Sequence, residues 1–435
     1  MSKREIVRYN SETLGESYFK YTHPSGLDIY VFPKNMSATY ALFGVKYGSI
    51  NNSIAVGGEC VNVPDGIAHF LEHKLFFNED GSDSFERFSE YGADANAYTS
   101  FNKTAYLFSC TDRFEDSLGE LIYFVTHPYF TEESAKAEIG IISEEIKMYE
   151  DNPGDRCFYG MLEGMYEHHS IRRNICGDVD SIRKITPELL YNCHAAYYTP
   201  ENMALVVCGN VDADVVIDIA DKHLVCDCKK YDAQPLYKDQ TESPFVCESY
   251  VEAQMQVSKP MFSIGYKDVN IPADARERIR RDAVMSILNE MIFARSAELY
   301  SSLFERNMIS PAFSYGYTIS KDFAYSSVAG EADDPKAVLD EISEHIKMLK
   351  ARGLDRGEFE RAKRVMYAEA VKTFDSTESI ANSLFAFVCE DAEMLEFTDI
   401  LADITFDEIS AIFENAFDNR TVTLSVVVPK NPEDK

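Results

Sequence analysis

Apolar and polar side chains alternate over residues 27–32 and 39–47, the two-residue period of a strand, and predict a strand pair near the start of the chain. Over 65–77 the apolar spacing changes to i, i+3, i+4, which predicts a helix with one apolar face. The same reading gives helices over 84–91, 114–126 and 132–149, and strands over 93–99 and 104–109. A helix running through His194, the turn Thr199-Pro200-Glu201-Asn202 and an apolar strand over 203–208 close this series.

A stretch over 229–244, rich in Lys, Asp, Gln and Pro and without apolar periodicity, separates this series from a second one. The second predicts a strand over 254–265, a long helix over 279–304, a strand over 323–330 and helices over 336–351 and 356–374. It closes with a helix over 409–417 and a strand over 421–428. Both series end in helix, short polar turn and apolar strand, so a duplicated α+β unit is the simplest account. The expected domains are 1–228 and 245–435, joined by a linker over 229–244. A chain of 435 residues is long enough for two such domains.

Charge narrows the partners. With 73 acidic against 42 basic side chains, the formal net charge is -31, which repels a phosphate backbone and argues against nucleic acid. The same surface attracts cationic molecules, including basic peptides, although acidic residues also serve solubility alone. No apolar run reaches the roughly 18 residues that would span a bilayer, so no membrane segment is expected. The opening Ser-Lys-Arg-Glu-Ile-Val-Arg after Met1 leads into polar sequence rather than a secretion signal, and the expected location is cytoplasmic. The ten cysteines are scattered and read as reduced, mostly buried thiols. Cys226 and Cys228 stand too close together for the spacer of a zinc knuckle.

The candidate chemistry lies in the 65–77 helix, which reads Gly66-Ile-Ala-His69-Phe-Leu-Glu72-His73. Residues four apart share a helix face, so both imidazoles can meet one metal ion while Glu72 reaches the same side. This is the inverted H-x-x-E-H pattern of zinc peptidases. A catalytic zinc needs a third protein ligand and an open position for water. The 132–149 helix offers Glu138, Glu144 and Glu145, of which Glu138 and Glu145 are two turns apart on one face. Zinc held there would acidify a water for Glu72 to deprotonate and would polarise a peptide carbonyl. The bland alternative is a pair of partly buried histidines beside a surface glutamate.

With His69-Phe-Leu-Glu72-His73, the later Gly92-Ala-Asp-Ala-Asn96-Ala97-Tyr98-Thr99-Ser100 and Glu138-Ile-Gly-Ile-Ile-Ser-Glu-Glu145, the chain resembles the insulinase and pitrilysin superfamily of metallopeptidases. Glu72-His73-Lys-Leu-Phe and Glu145-Ile-Lys-Met-Tyr-Glu-Asp-Asn-Pro153 are most similar to the zinc-bearing member of paired bacterial peptidases, of the type of the mitochondrial processing peptidase β subunit. The resemblance implies one zinc ion per chain, held by His69, His73 and Glu145, with Glu72 as base and Glu138 supporting the site. Glu144 would point elsewhere. It implies two homologous halves, each a mixed, mostly antiparallel sheet backed by helices, arranged as a clamshell, with the second half lacking a metal site. It also implies that the strand carrying Asn96, Ala97 and Tyr98 receives the substrate as an added strand.

One departure matters. Family members that work alone carry an arginine and, seven residues on, a tyrosine that grip the substrate carbonyl. Phe304 and Pro311 stand at those positions, and Arg306 with Tyr315 or Tyr317 has the wrong spacing. The expectation is an endopeptidase for short or unfolded peptides, working as a heterodimer with a homologous subunit that lacks the metal but supplies the arginine and tyrosine. A homodimer is the fallback. The competing function is a silent peptide-binding or scaffold subunit, and zinc and manganese both suit the ligand set.

Overall fold

The structure, a computed structural model, describes residues 4–224, 231–237 and 242–430. Its strands are β1 (Val7–Ser11), β2 (Glu16–Thr22), β3 (Asp28–Pro33), β4 (Thr39–Val45), β5 (Ser53–Val56), β6 (Glu59–Asn62), β7 (Asp94–Thr99), β8 (Thr104–Cys110), β9 (Met203–Gly209) and β10 (Ala233–Pro235). Then come β11 (Tyr250–Met255), β12 (Met261–Lys267), β13 (Ser314–Ile319), β14 (Ala324–Glu331) and β15 (Val422–Pro429). The predicted helices over 84–91 and 114–126 appear as Ser84–Tyr91 and Phe114–Thr126, and the 132–149 helix as Glu132–Glu150. Two expectations change. The 279–304 helix is two, Ala275–Phe293 and Glu298–Glu305, and the 254–265 strand divides into β11 and β12.

The chain forms two compact units, and both match the expected α+β class. The first sheet runs β1-β2-β3-β9-β4-β8-β7 and the second β11-β15-β12-β14-β13. Among the described residues, only β3 and β9 pair in parallel in the first, and only β11 and β15 in the second. The order β3-β9-β4-β8-β7 is thus repeated as β11-β15-β12-β14-β13, which gives the suspected duplication a topological form. The central strands β4 and β9 are buried at every position, so the alternation expected over 39–47 is corrected in β4 to a strand covered on both faces.

The units do not follow the expected boundaries. The first comprises Met1–Ile146, Asn174–Asp239 and Val371–Leu395, and the second Lys147–Arg173, Gln240–Ala370 and Glu396–Lys435. The division at 229–244 is corrected by two helices that pack away from their sequence neighbours. Helix Thr377–Cys389 lies on β4 and β9, where Gly44 leaves room for the Phe385 ring: a Cβ there would sit 2.1 Å from it. Helix Pro153–Met165 lies on β12 and β15, where a Cβ on Gly265 would meet Met161 and Met165 at 2.7 Å. The supposed linker is also structured in part, since β10 pairs antiparallel with β5. Its residues 229, 230 and 238–241, and Cys226 and Cys228, lie outside the described residues.

Candidate metal centre

The motif helix spans Ile67–Leu75 and packs on β7 and β8 in the first unit, burying Ile67, Phe70 and Leu71. That apolar face sets the direction of the other one, which carries His69, Glu72 and His73. The His69 and His73 rings lie 4.6 Å apart, in keeping with a four-residue helical spacing. Helix Glu132–Glu150 brings Glu145 between them: one carboxylate oxygen is 3.6 Å from His69 Nε2 and the other 3.5 Å from His73 Nε2. One turn pair earlier, Glu138 accepts from His73 Nδ1 at 3.0 Å and from the buried Lys74 ammonium at 3.3 Å. Glu144, the next residue along the helix, is exposed.

The hydrogen bond to Glu138 fixes the His73 tautomer, with Nδ1 protonated and the Nε2 lone pair turned toward Glu145. Burial pulls the His73 pKa down, but the Glu138 bond and the charges of Glu72, Glu138 and Glu145 outweigh it and leave it raised. Burial pushes Glu138 up, yet the bonds from His73 and Lys74 bring it below the usual carboxylate range. His69 is different: burial, helped by His73, lowers its pKa to about 3, so the ring is neutral. Its Nδ1 is buried with no hydrogen-bond partner.

That geometry tests whether a cation fits. Two nitrogen or oxygen donors on a tetrahedral zinc ion stand about 3.4 Å apart. The Glu145 contacts with the two imidazoles, at 3.5 and 3.6 Å, have this spacing and are too long for good hydrogen bonds. Each imidazole thus faces one Glu145 oxygen at a spacing that suits a divalent ion, and the donor atoms that lie mutually within 4.8 Å among the described residues are those of His69, Glu145 and Cys176.

Glu72 sits beside the donors. Burial raises its pKa, and Thr99 Oγ1, at the end of β7, donates to its Oε2 at 2.6 Å. Of the three residues expected to meet substrate, Asn96 is exposed on β7 and its side chain accepts from Ala97 N at 2.8 Å. Tyr98 is half-buried, and its hydroxyl donates to Asn382 of helix Thr377–Cys389 at 3.0 Å. Tyr98 thus ties β7 to the core. β7 is the last strand of its sheet, so its outer edge is open to pairing.

Sequence reasoning gave no role to Thr99, Lys74 or Cys176. The first two lie within or next to the motifs and could have been found there. Cys176, whose Sγ is 3.9 Å from His69 Nε2, had no signal in its spacing.

Residues 57–179 match the family described as Insulinase (Peptidase family M16), and residues 184–366 match the Peptidase M16 inactive domain. The chain is 38% identical over 426 residues to the uncharacterized zinc protease YmfH of Bacillus subtilis, covering 97% of this chain and 98% of that one. The chain belongs to the M16 peptidase family. An M16-like peptidase from Alicyclobacillus acidocaldarius superimposes with a TM-score of 0.89 at 30% identity, over 98% of this chain and 100% of that one. Pitrilysin shares the fold, with a TM-score of 0.76 at 13% identity over 100% of this chain and 47% of its own. The motif helix and Glu145 both fall in the segment matched to the insulinase description. No helix among the described residues is long and apolar enough to cross a membrane.

Proposed function

We propose that this M16 chain is a zinc-dependent endopeptidase for short or unfolded peptides and the metal-bearing subunit of a pair. The observation that carries the reading is that Glu145 reaches both His69 and His73, with the half-buried Glu72 beside them. When bound, zinc supplies a Lewis acid that polarises a carbonyl and lowers the pKa of a water to about 7.

The chain's own residues do the rest. Glu72, with its pKa raised by burial, takes the proton from water and delivers it to the leaving amine. Thr99 occupies Oε2, which leaves Oε1 as the proton-carrying oxygen. Glu138 holds His73 in its ligating tautomer. The open edge of β7, through Asn96, Ala97 and Tyr98, takes the peptide as an added strand. The net charge of -31 favours peptides with basic flanks.

The paired arrangement rests on the second unit. Phe304 and Pro311 stand where a substrate-gripping arginine and tyrosine would be, and the nearby candidates are engaged within that unit. Arg306 makes two 2.7 Å bonds to Glu341, Tyr315 donates to Glu290, and Tyr317 donates to Asp268 at 2.7 Å. A homologous partner subunit without the metal motif supplies the pair, with a homodimer as the alternative assembly. The described cysteines are not joined in disulfides, which supports a cytoplasmic location.

The test is elemental analysis for zinc together with cleavage of a mixed peptide library by wild type and Glu72→Gln, alone and with a candidate partner. One zinc per chain, and cleavage that needs the partner and vanishes in Glu72→Gln, is the expected result. Zinc without cleavage in any pairing would instead point to a peptide-binding or scaffold subunit, and equal activity of the chain alone would remove the partner.

A further inference from the structure

Among the described residues β7 pairs with β8 alone, so a single ladder holds it. An edge strand takes up a peptide as a further strand most readily when its own pleat is already fixed, because freedom left in it is lost on binding. The sequence of β7 offers few anchors. Asp94 and Asn96 are exposed, and Ala95 and Ala97 are too small to grip a core. Tyr98 and Thr99 remain, and as neighbours on a strand they point to opposite faces of the sheet. Thr99 bonds Glu72 on the motif-helix face. Tyr98 turns to the other face and packs against the buried cluster that includes Ile380, Leu384 and Phe385 of helix Thr377–Cys389.

On that face Asn382 joins two tyrosines. Its Oδ1 accepts from the Tyr98 hydroxyl at 3.0 Å, and its Nδ2 donates to the Tyr40 hydroxyl of β4 and to the Glu378 carbonyl, each at 3.0 Å. Tyr40 is buried, and Phe385 seats the helix over Gly44 of the same strand, so the amide is fixed from the side of the core. At the end of the helix Glu390 accepts from Asn102 Nδ2, in the turn after β7, at 3.3 Å. One helix thus holds both the open edge strand and its turn.

Resting on the peptidase reading above, we infer that Asn382 is a positioning residue for the peptide: through Tyr98 it holds β7 in the pleat to which a substrate strand adds. Its task differs from that of Thr99, which reaches the base. Asn382 touches neither the metal candidates nor Glu72, so its loss weakens peptide binding and leaves the chemical step alone. A neutral hydrogen bond of this kind is worth about threefold to tenfold in affinity.

Steady-state cleavage of one peptide taken from the mixed library tests this, with zinc-loaded protein and its partner where cleavage needs one. Asn382→Leu should raise KM about threefold to tenfold with kcat and zinc content unchanged. Tyr98→Phe, which removes only the hydroxyl, should do the same and carries the test if Asn382→Leu does not fold. The double variant should be no worse than either single one, since both remove one contact. Asn382→Asp should restore KM, because a carboxylate accepts from both tyrosine hydroxyls. Hydrogen–deuterium exchange reads the same role without activity: in Asn382→Leu the β7 amides should exchange faster and those of the motif helix at the wild-type rate. An unchanged KM, additive effects, a fall in kcat or zinc content, or faster exchange throughout the unit would overturn the inference and leave the peptidase reading standing. No cleavage by wild type in any pairing would remove that reading and this inference with it.

Discussion

Thr99 Oγ1 donates a 2.6 Å hydrogen bond to Glu72 Oε2, joining the edge strand β7 to the carboxylate that the motif helix presents. A bond to a charged group contributes about 1.5–3 kcal/mol. Thr99→Val should therefore lower kcat by about tenfold or more with zinc content unchanged, while Thr99→Ser retains most of the activity. Steady-state kinetics with metal analysis checks this; a loss of zinc in Thr99→Val would show that Thr99 supports the fold of the site instead.

Glu138 bridges His73 Nδ1 and Lys74. Partners of this kind orient a ligating imidazole, and their removal typically weakens metal binding about 10–100-fold. Glu138→Gln should follow that pattern, measured by competition with a chromophoric chelator. An unchanged affinity would mean that helix packing alone holds His73.

Acid should release the metal through His73 rather than His69. The His69 pKa of about 3 keeps that ring neutral, whereas His73 is raised above 6.5. A proton on His73 competes with the ion, so zinc affinity should be flat at high pH and fall as pH drops through the raised His73 value. Glu138 is held below 4.5 and stays charged across that window. Isothermal titration at several pH values checks it, and affinity that is constant down to pH 5 would contradict it.

Gly44 of β4 and Phe385 of helix Thr377–Cys389 form a single packing unit. Gly44→Ala should destabilise by about 1–3 kcal/mol through overpacking. Phe385→Ala should cost about 3–5 kcal/mol through the cavity it leaves. Because the removed ring makes room for the new methyl group, the double variant should lose less than the two together. Urea unfolding measures all three, and strict additivity would deny the contact.

Peptides with basic flanks should be cut faster than neutral ones, and the difference should shrink with added salt, since exposed charges are screened within about 10 Å at 0.1 M. Equal rates at low and high salt would assign the acidic surface to solubility.

The sequence by itself determined whatever a short stretch of chain can encode. The spacing of His69, Glu72 and His73 put three functional groups on one helix face, and the seven residues from Glu138 to Glu145 put two carboxylates on another. Alternation and helical periods gave the repeated α+β order, because burial of one face imposes those periods locally. What the chain alone did not show was which distant pieces meet. Helices Pro153–Met165 and Thr377–Cys389 are packed by Gly265 and Gly44, which lie on strands far away in sequence, so the unit boundaries were misread. Cys176 stands 107 residues from His69, and the contact of Gly66 with Cys176 and Gly177 places its sulfur beside that ring. Periodicity records the environment of an element but not the identity of its neighbours, and those neighbours were decided by tertiary packing.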